Sequence, residues 1–144
     1  MTDSGPLSAA LASWLRDHHQ AVLVTLRRDG SPQSSNLSYF FDGSTARISV
    51  TADRAKTRNV KRDPRVVLHV LGDNFWQYVA IQGAATVSAV SESPGDAVGR
   101  ELLDVYQGIA GAHPDPDEYF AAMVTDRRLV LTVRPIKATG FTPG

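Results

Sequence analysis

Leu7, Leu11, Trp14 and Leu15 recur at i, i+4, i+7 and i+8, the apolar stripe of an amphipathic helix. Pro6 suits its first turn, where a missing N–H has no partner to lose. Over Ala21 to Leu26 the period changes, and a short apolar run with two valines and a threonine predicts a strand. Asp29-Gly30 supplies a turn that tolerates positive φ, and a second strand follows over Gln33 to Phe41. Asp42-Gly43 repeats the turn before a third strand, Ala46 to Thr51, so this half predicts a meander of antiparallel strands.

Asp53 to Asp63 breaks the alternation. It holds the helix formers Ala55, Lys56 and Arg58 and stops at Asp63-Pro64, because a residue before proline disfavours helical geometry. Val66 to Leu71 predicts a fourth strand, Gly72-Asp73-Asn74 a turn, and Trp76 to Val90 a long strand or strand pair with a bulge at Gly83. Ser93-Pro94 opens another helix, with Val98, Leu102, Val105 and Ile109 as its apolar face. A loop over Gly111 to Pro116 leads to a shorter helix around Tyr119 to Val124. Leu129 to Val133 predicts a strong strand and Ala138 to Phe141 a weak one. With no repeat, linker or low-complexity tract, residues 1–144 read as a single domain. Six or seven closely spaced strands with flanking helices make it a small, mainly β barrel.

Composition narrows the class. Fifteen Lys+Arg balance fifteen Asp+Glu, which argues against a dedicated nucleic-acid binder or a polybasic membrane protein. Without cysteine there is no disulfide, thiolate nucleophile, iron–sulfur cluster or cysteine-bound zinc. Met1 to Pro6 lacks the cationic start and apolar core of a signal peptide, and no apolar run approaches the roughly 20 residues that span a bilayer. The expectation is a soluble, cytoplasmic protein with neither nucleic acid nor membrane as partner.

Nucleophile-elbow, zinc-protease, Walker and dinucleotide motifs are all missing, and neither a catalytic side chain nor a metal site is identified. His18-His19 falls where the first helix ends and suits the negative end of its dipole. The informative stretch is Arg54-Ala55-Lys56-Thr57-Arg58-Asn59-Val60-Lys61-Arg62-Asp63-Pro64-Arg65, with six of the fifteen basic residues in twelve positions. It reads either as a solvated basic face or as an anion site. At an exposed helix start, free N–H groups and the dipole favour an anion that Arg54 forks onto, Lys56 attracts and Thr57 donates to. Gln33-Ser34-Ser35-Asn36 offers amides that suit the edge of a heteroaromatic ring, or faces water on an alternating strand. Trp76 and Tyr78, two apart and on one strand face, either stack on a ring or plug an interface. Asp126-Arg127-Arg128 reads as a charged turn.

The order helix, strand, Asp-Gly turn, Gln33 to Asn36, then Arg54-Ala55-Lys56-Thr57-Arg58-Asn59 and Arg62-Asp63-Pro64 resembles the split β-barrel flavin and deazaflavin oxidoreductases, relatives of pyridoxamine 5'-phosphate oxidase. Trp76-x-Tyr78, Tyr119 to Met123 and Met123-Val124-Thr125-Asp126-Arg127-Arg128 are similar to the actinobacterial subgroup that uses coenzyme F420. The resemblance covers nearly the whole chain. It implies an antiparallel split β-barrel that binds F420, or alternatively FMN, and transfers a hydride to or from a conjugated small-molecule substrate. It also implies a homodimer with cofactor sites along its interface. Arg54, Lys56 and Thr57 would then hold the cofactor phosphate, with Arg58 helping toward an anionic tail and Ser49 and Thr51 approaching the same region. Gln33, Ser35 and Asn36 would contact the ring or its ribityl chain, and Trp76 and Tyr78 would reach in from the other subunit. The family's C-terminal Arg-x-His substrate handle has no match, since no histidine follows His113. That argues against pyridoxamine 5'-phosphate oxidation itself and keeps open a non-catalytic deazaflavin-binding protein.

Overall fold

Seven antiparallel strands form one sheet in the order β2-β1-β5-β6-β7-β4-β3, which puts two strands that are nearly adjacent in the chain at opposite edges. In the computed structural model, which describes residues 7–140, β2 spans Pro32–Ser38 and β3 spans Phe40–Phe41. Laid flat, the two edges would stand about 29 Å apart, six strand spacings. The two Cα steps that join Ser38 to Phe40 reach no more than about 7 Å. The sheet therefore has to curl into a half-barrel that brings the end of β2 to the start of β3. The residue at the join, Tyr39, is fully buried; its hydroxyl donates to the Leu15 carbonyl at 2.8 Å and its N–H to the His19 carbonyl at 2.9 Å.

The other strands are β1 (Gln20–Leu26), β4 (Ala46–Thr51), β5 (Arg65–Leu71), β6 (Tyr78–Val87) and β7 (Arg128–Gly140). Alternate residues point inward: Leu23, Ile48, Val50, Leu68, Val70, Ile81, Leu131 and Val133 are buried in one core. Helix α1 (Ala9–Asp17) caps it with Leu11, Trp14 and Leu15, its start fixed by the Ser8 hydroxyl accepting from the Leu11 N–H at 3.1 Å. Helix α2 (Ala55–Arg62) joins β4 to β5. Helices α3 (Ala97–Ala110) and α4 (Pro116–Thr125) pack outside β7, where Leu102, Tyr119, Met123 and Val130 form a second, smaller core. Among the described residues no helix is long and apolar enough to cross a membrane.

The seven-strand barrel with flanking helices agrees with the expected fold, and the differences are local. The second strand breaks at Tyr39, and the third, β4, pairs with β7 and β3 and not with β2, so no continuous meander runs through this half. The strand expected from Trp76, β6, begins at Tyr78 because Gly72 to Gln77 is closed on itself: Gly72 N–H donates to the Gln77 carbonyl at 2.9 Å and Trp76 N–H to Asn74 Oδ1 at 2.9 Å. Trp76 thus lies in a turn and shares no strand face with Tyr78. Helix α3 starts after Asp96, whose carboxylate accepts from the N–H groups of Gly99, Glu92 and Ser93, and so begins later than Ser93-Pro94. Pro6 and Phe141 lie outside the described residues.

The last strand is continuous where two were expected, and a bulge makes that possible. Gln82 pairs with Lys137 but Gly83 with Pro135, leaving Ile136 as the extra residue on β7. A Cβ on Gly83 would stand 2.7 Å from the Arg134 carbonyl oxygen and 2.8 Å from Val133 Cγ1. Gly83→Ala is therefore expected to lower stability by about 1–3 kcal/mol, the usual range for overpacking. Urea unfolding reads this directly; a midpoint equal to wild type would show that the two strands can separate freely there.

Candidate functional site

Where β4 ends, the chain turns into α2, and one carbonyl anchors the turn. Thr51 C=O accepts from Arg54 N–H at 3.3 Å and from the Thr57 hydroxyl at 2.8 Å. The Thr57 side chain is fully buried, so its hydroxyl proton is committed to the fold while its lone pairs stay free. Helix α2 begins at Arg54 without a side-chain cap and with no acid in its first turn, so the positive end of its dipole is uncovered.

Lys56 is buried, with 8% of its surface exposed, where an exposed position was expected. Burial above all, and then the charges of Arg54 and Arg128, hold its ammonium below the usual lysine range. Arg128 opens β7 directly opposite Thr51. The residue before it, Arg127, sits at φ 54°, a left-handed backbone that costs a non-glycine residue on the order of 1–3 kcal/mol. The Nε of Arg128 is closed off from solvent with no hydrogen-bond partner, and Nη1 reaches Ser49 Oγ only at 3.5 Å, the outer limit of a hydrogen bond. Among the described residues, Arg47 and Arg65 make ion pairs and His18 hydrogen-bonds Asp73; Arg54, Lys56 and Arg128 make no salt bridge.

Beside this cation cluster lies a cavity of about 380 Å³ between the sheet and the α3–α4 pair. Leu37, Ser49, Tyr106, Tyr119, Met123 and Arg128 are among its walls. Burial pushes the Tyr119 phenol up, with the Arg128 charge opposing, and its hydroxyl donates to the Leu102 carbonyl at 2.9 Å. Tyr106 packs on it with ring centres 5.4 Å apart. The result is an apolar slot, lined by aromatics, that is cationic at one end.

The sequence-predicted residues are distributed unevenly around it. Ser49 lines the cavity, Thr51 shares its face of β4, and Arg54, Lys56 and Thr57 stand at the start of α2. Arg58, one turn on, donates to the Asp53 carbonyl. Gln33 and Ser35 point to the barrel side of β2, opposite Thr25 and Leu23. There Asn59 Nδ2 donates to Thr25 Oγ1 at 3.0 Å, Thr25 to Gln33 Oε1 at 2.9 Å, and Gln33 Nε2 to Ser35 Oγ at 2.8 Å. These amides fasten α2 to the barrel. Asn36 faces the other way and is exposed. Trp76, 77% exposed, and Tyr78, stacked on His69 at 4.9 Å, border a separate hollow on the same chain. Arg128 and Tyr106 were missed. The period-two pattern from Leu129 already puts Arg128 on the face of Val130, and Tyr106 stands four residues after the apolar Leu102.

The lowered pKa of Lys56 has a defined sign in stability. Between that value and the ordinary 10.5, the unfolded chain binds the proton that the folded chain has lost, so stability gained from this residue rises with pH there; below that window the buried charge is a full penalty. Lys56→Met should be more stable than wild type near pH 7, and the gap should close as the pH approaches 10.5. Tyr39, whose buried phenol is also pushed up, acts equally in both proteins. Urea titrations at the two pH values test this, and a gap independent of pH would refute it.

The profile of the pyridoxamine 5'-phosphate oxidase family matches residues 7–138. An F420H2-dependent biliverdin reductase of Mycobacterium tuberculosis is 31% identical over 93 residues, covering 63% of this chain and 66% of that protein, just under two thirds of its length. Among solved structures, one described as an F420 reductase is 26% identical with a TM-score of 0.67, covering 96% of this chain and 98% of that one. A conserved hypothetical protein of Mycobacterium tuberculosis shares the fold at 20% identity with a TM-score of 0.71, over 96% of this chain and 87% of its own. The chain belongs to the pyridoxamine 5'-phosphate oxidase family, oxidoreductases built on the split β-barrel.

Proposed function

We propose that this protein is an F420-dependent oxidoreductase that passes a hydride between the deazaflavin and a flat, conjugated small molecule. The observation that carries this reading is a set of cations that make no salt bridge, Arg54, Lys56 and Arg128, the last of which lines an aromatic slot. Lys56 is buried and Arg128 half-buried, an uncompensated charge in such a place is expensive, and an arriving anion removes the cost. A cofactor with a phosphate at one end and a planar ring at the other fits both halves of the site. Two of the similar proteins carry F420 in their names, and we take the deazaflavin as the first reading on that ground. FMN is the second reading, because it brings the same phosphate to the same residues.

Bound there, the deazaflavin would supply the hydride, and the chain has the simpler tasks. The uncapped start of α2, with Arg54 and Lys56, binds the phosphate, and buried Thr57 keeps that turn rigid. Tyr106, Tyr119 and Met123 exclude water from one side of the slot and leave room for a planar acceptor. A tetrapyrrole belongs in the substrate panel, given the biliverdin reductase among the relatives.

Fluorescence titration with F420 and with FMN, followed by oxidation of reduced F420 with quinones, enones and tetrapyrroles, tests the reading. Lys56→Ala should weaken F420 binding roughly 10- to 150-fold, the worth of a charge-assisted contact, while Lys61→Ala changes it little. Micromolar FMN binding without F420 binding would shift the assignment to a flavoprotein. Binding without turnover of any acceptor would make the protein a carrier.

Leu71, Phe75, Trp76 and Tyr78 expose an apolar cluster at one end of the barrel, which supports a twofold homodimer. Light scattering at micromolar concentration should give twice the 15.6 kDa of one chain; a single-chain mass would refute the dimer.

A further inference from the structure

Arg128 stands at the seam between the two halves of the site. Across the sheet it is paired with Thr51, whose carbonyl anchors the start of α2. Its side chain lines the cavity with Ser49 and Tyr119. Its charge is felt on both sides, by Lys56 toward the helix and by Tyr119 toward the slot. A guanidinium carries five N–H donors in a planar fork and cannot discharge itself by losing a proton. Buried donors are nearly always satisfied, yet Nε here has no partner, the Ser49 contact is long, and the nearest charges named above repel it. Among the described residues its side chain makes that one long hydrogen bond and no salt bridge. The left-handed Arg127 before it spends backbone energy to bring the chain to this point.

We propose that Arg128 is the third anion-binding residue of the site, taking a phosphate oxygen of the ligand on Nε at the junction of helix start and cavity. Arg54 and Lys56 then meet the phosphate from the α2 side and Arg128 from the β7 side. The ligand is thereby obliged to enter the slot from the cationic end. The inference rests on the anion site proposed above but not on the identity of the ring attached to it.

A structural arginine and a ligand-binding one differ in a measurable way. Replacing a structural residue lowers the stability of the free protein, whereas removing a half-buried arginine whose Nε is closed off and unpaired does not. Wild type, Arg128→Met, Arg128→Lys and Lys61→Ala are compared by thermal melts and by calorimetric titration with inorganic phosphate at constant ionic strength. Arg128→Met is expected to melt no lower than wild type without ligand and to bind phosphate at least about 10-fold more weakly. Arg128→Lys, which keeps the charge but loses the fork, should fall between the two, and it carries the test if the methionine variant does not fold. Lys61→Ala should match wild type. Unchanged phosphate affinity in Arg128→Met, or in Arg128→Lys if that variant alone folds, would overturn the proposal. Repeating the titration with FMN and with F420 separates the readings. A parallel loss with FMN in a protein that ignores F420 would sink the deazaflavin assignment and leave Arg128 on the phosphate. Loss with F420 while phosphate binds as in wild type would move Arg128 to the ring and overturn the proposal.

Discussion

The single residue between β2 and β3 dictates the shape of this molecule. Tyr39 has to connect opposite edges of a seven-stranded sheet, so the sheet cannot lie flat. The cost of the sharp join is met by burying the tyrosine ring and by its hydrogen bonds to Leu15 and His19, which come from α1 and the residue before β1. Curling then separates the two faces of every strand. Inner residues such as Leu23, Ile48 and Leu131 fill the barrel, and outer residues of β4 and β7 are left for other partners. Val130 takes α3 and α4 as its cover, while Ser49 and Arg128, on the same outer face, are left beside the cavity.

That division explains why the candidate site lies outside the barrel. The interior is packed with aliphatic side chains and admits no ligand. The outer face needs only a roof, which two helices provide, and a charged rim, which the β4–α2 turn provides. A cation on the outer face is tolerated because solvent and, in the proposed function, ligand reach it. The same cation pointing inward would cost several kcal/mol.

Much of this is legible in the amino-acid sequence. Turn dipeptides at Asp29-Gly30 and Asp42-Gly43 and the stop at Asp63-Pro64 are local signals, and the structure places boundaries within a few residues of each. What escaped was non-local. Whether β4 pairs with β2 or with β7 depends on closure, which no window of sequence contains. Lys56 looked exposed because it is charged; it is buried because α2 packs on β1, β2 and β6 and turns Lys56, Thr57, Asn59 and Val60 inward. Gln33 and Ser35 read as ring contacts or as water-facing residues, and the partners that the fold gives them lie outside any local window. They find those partners in Thr25 and, through it, Asn59, two residues that only the fold brings together. Arg128 looked like a turn charge because its neighbours are charged, although strand alternation already set its face.

The network around Asn59 has a consequence for the cations. Three like charges at the start of a short helix would tend to pry that helix off the sheet if the helix were held only by its termini. Helix α2 is instead fastened on its buried side by Thr57 to β4, by Asn59 to β1 and by Val60 in the core. Each of the two hydrogen bonds is worth about 1 kcal/mol net, and each would leave a buried group unsatisfied if broken. The fastening does not involve the ligand. The positive rim is therefore held in place beforehand, with its repulsion already borne by the fold, and an incoming anion relieves that repulsion without first having to order the helix.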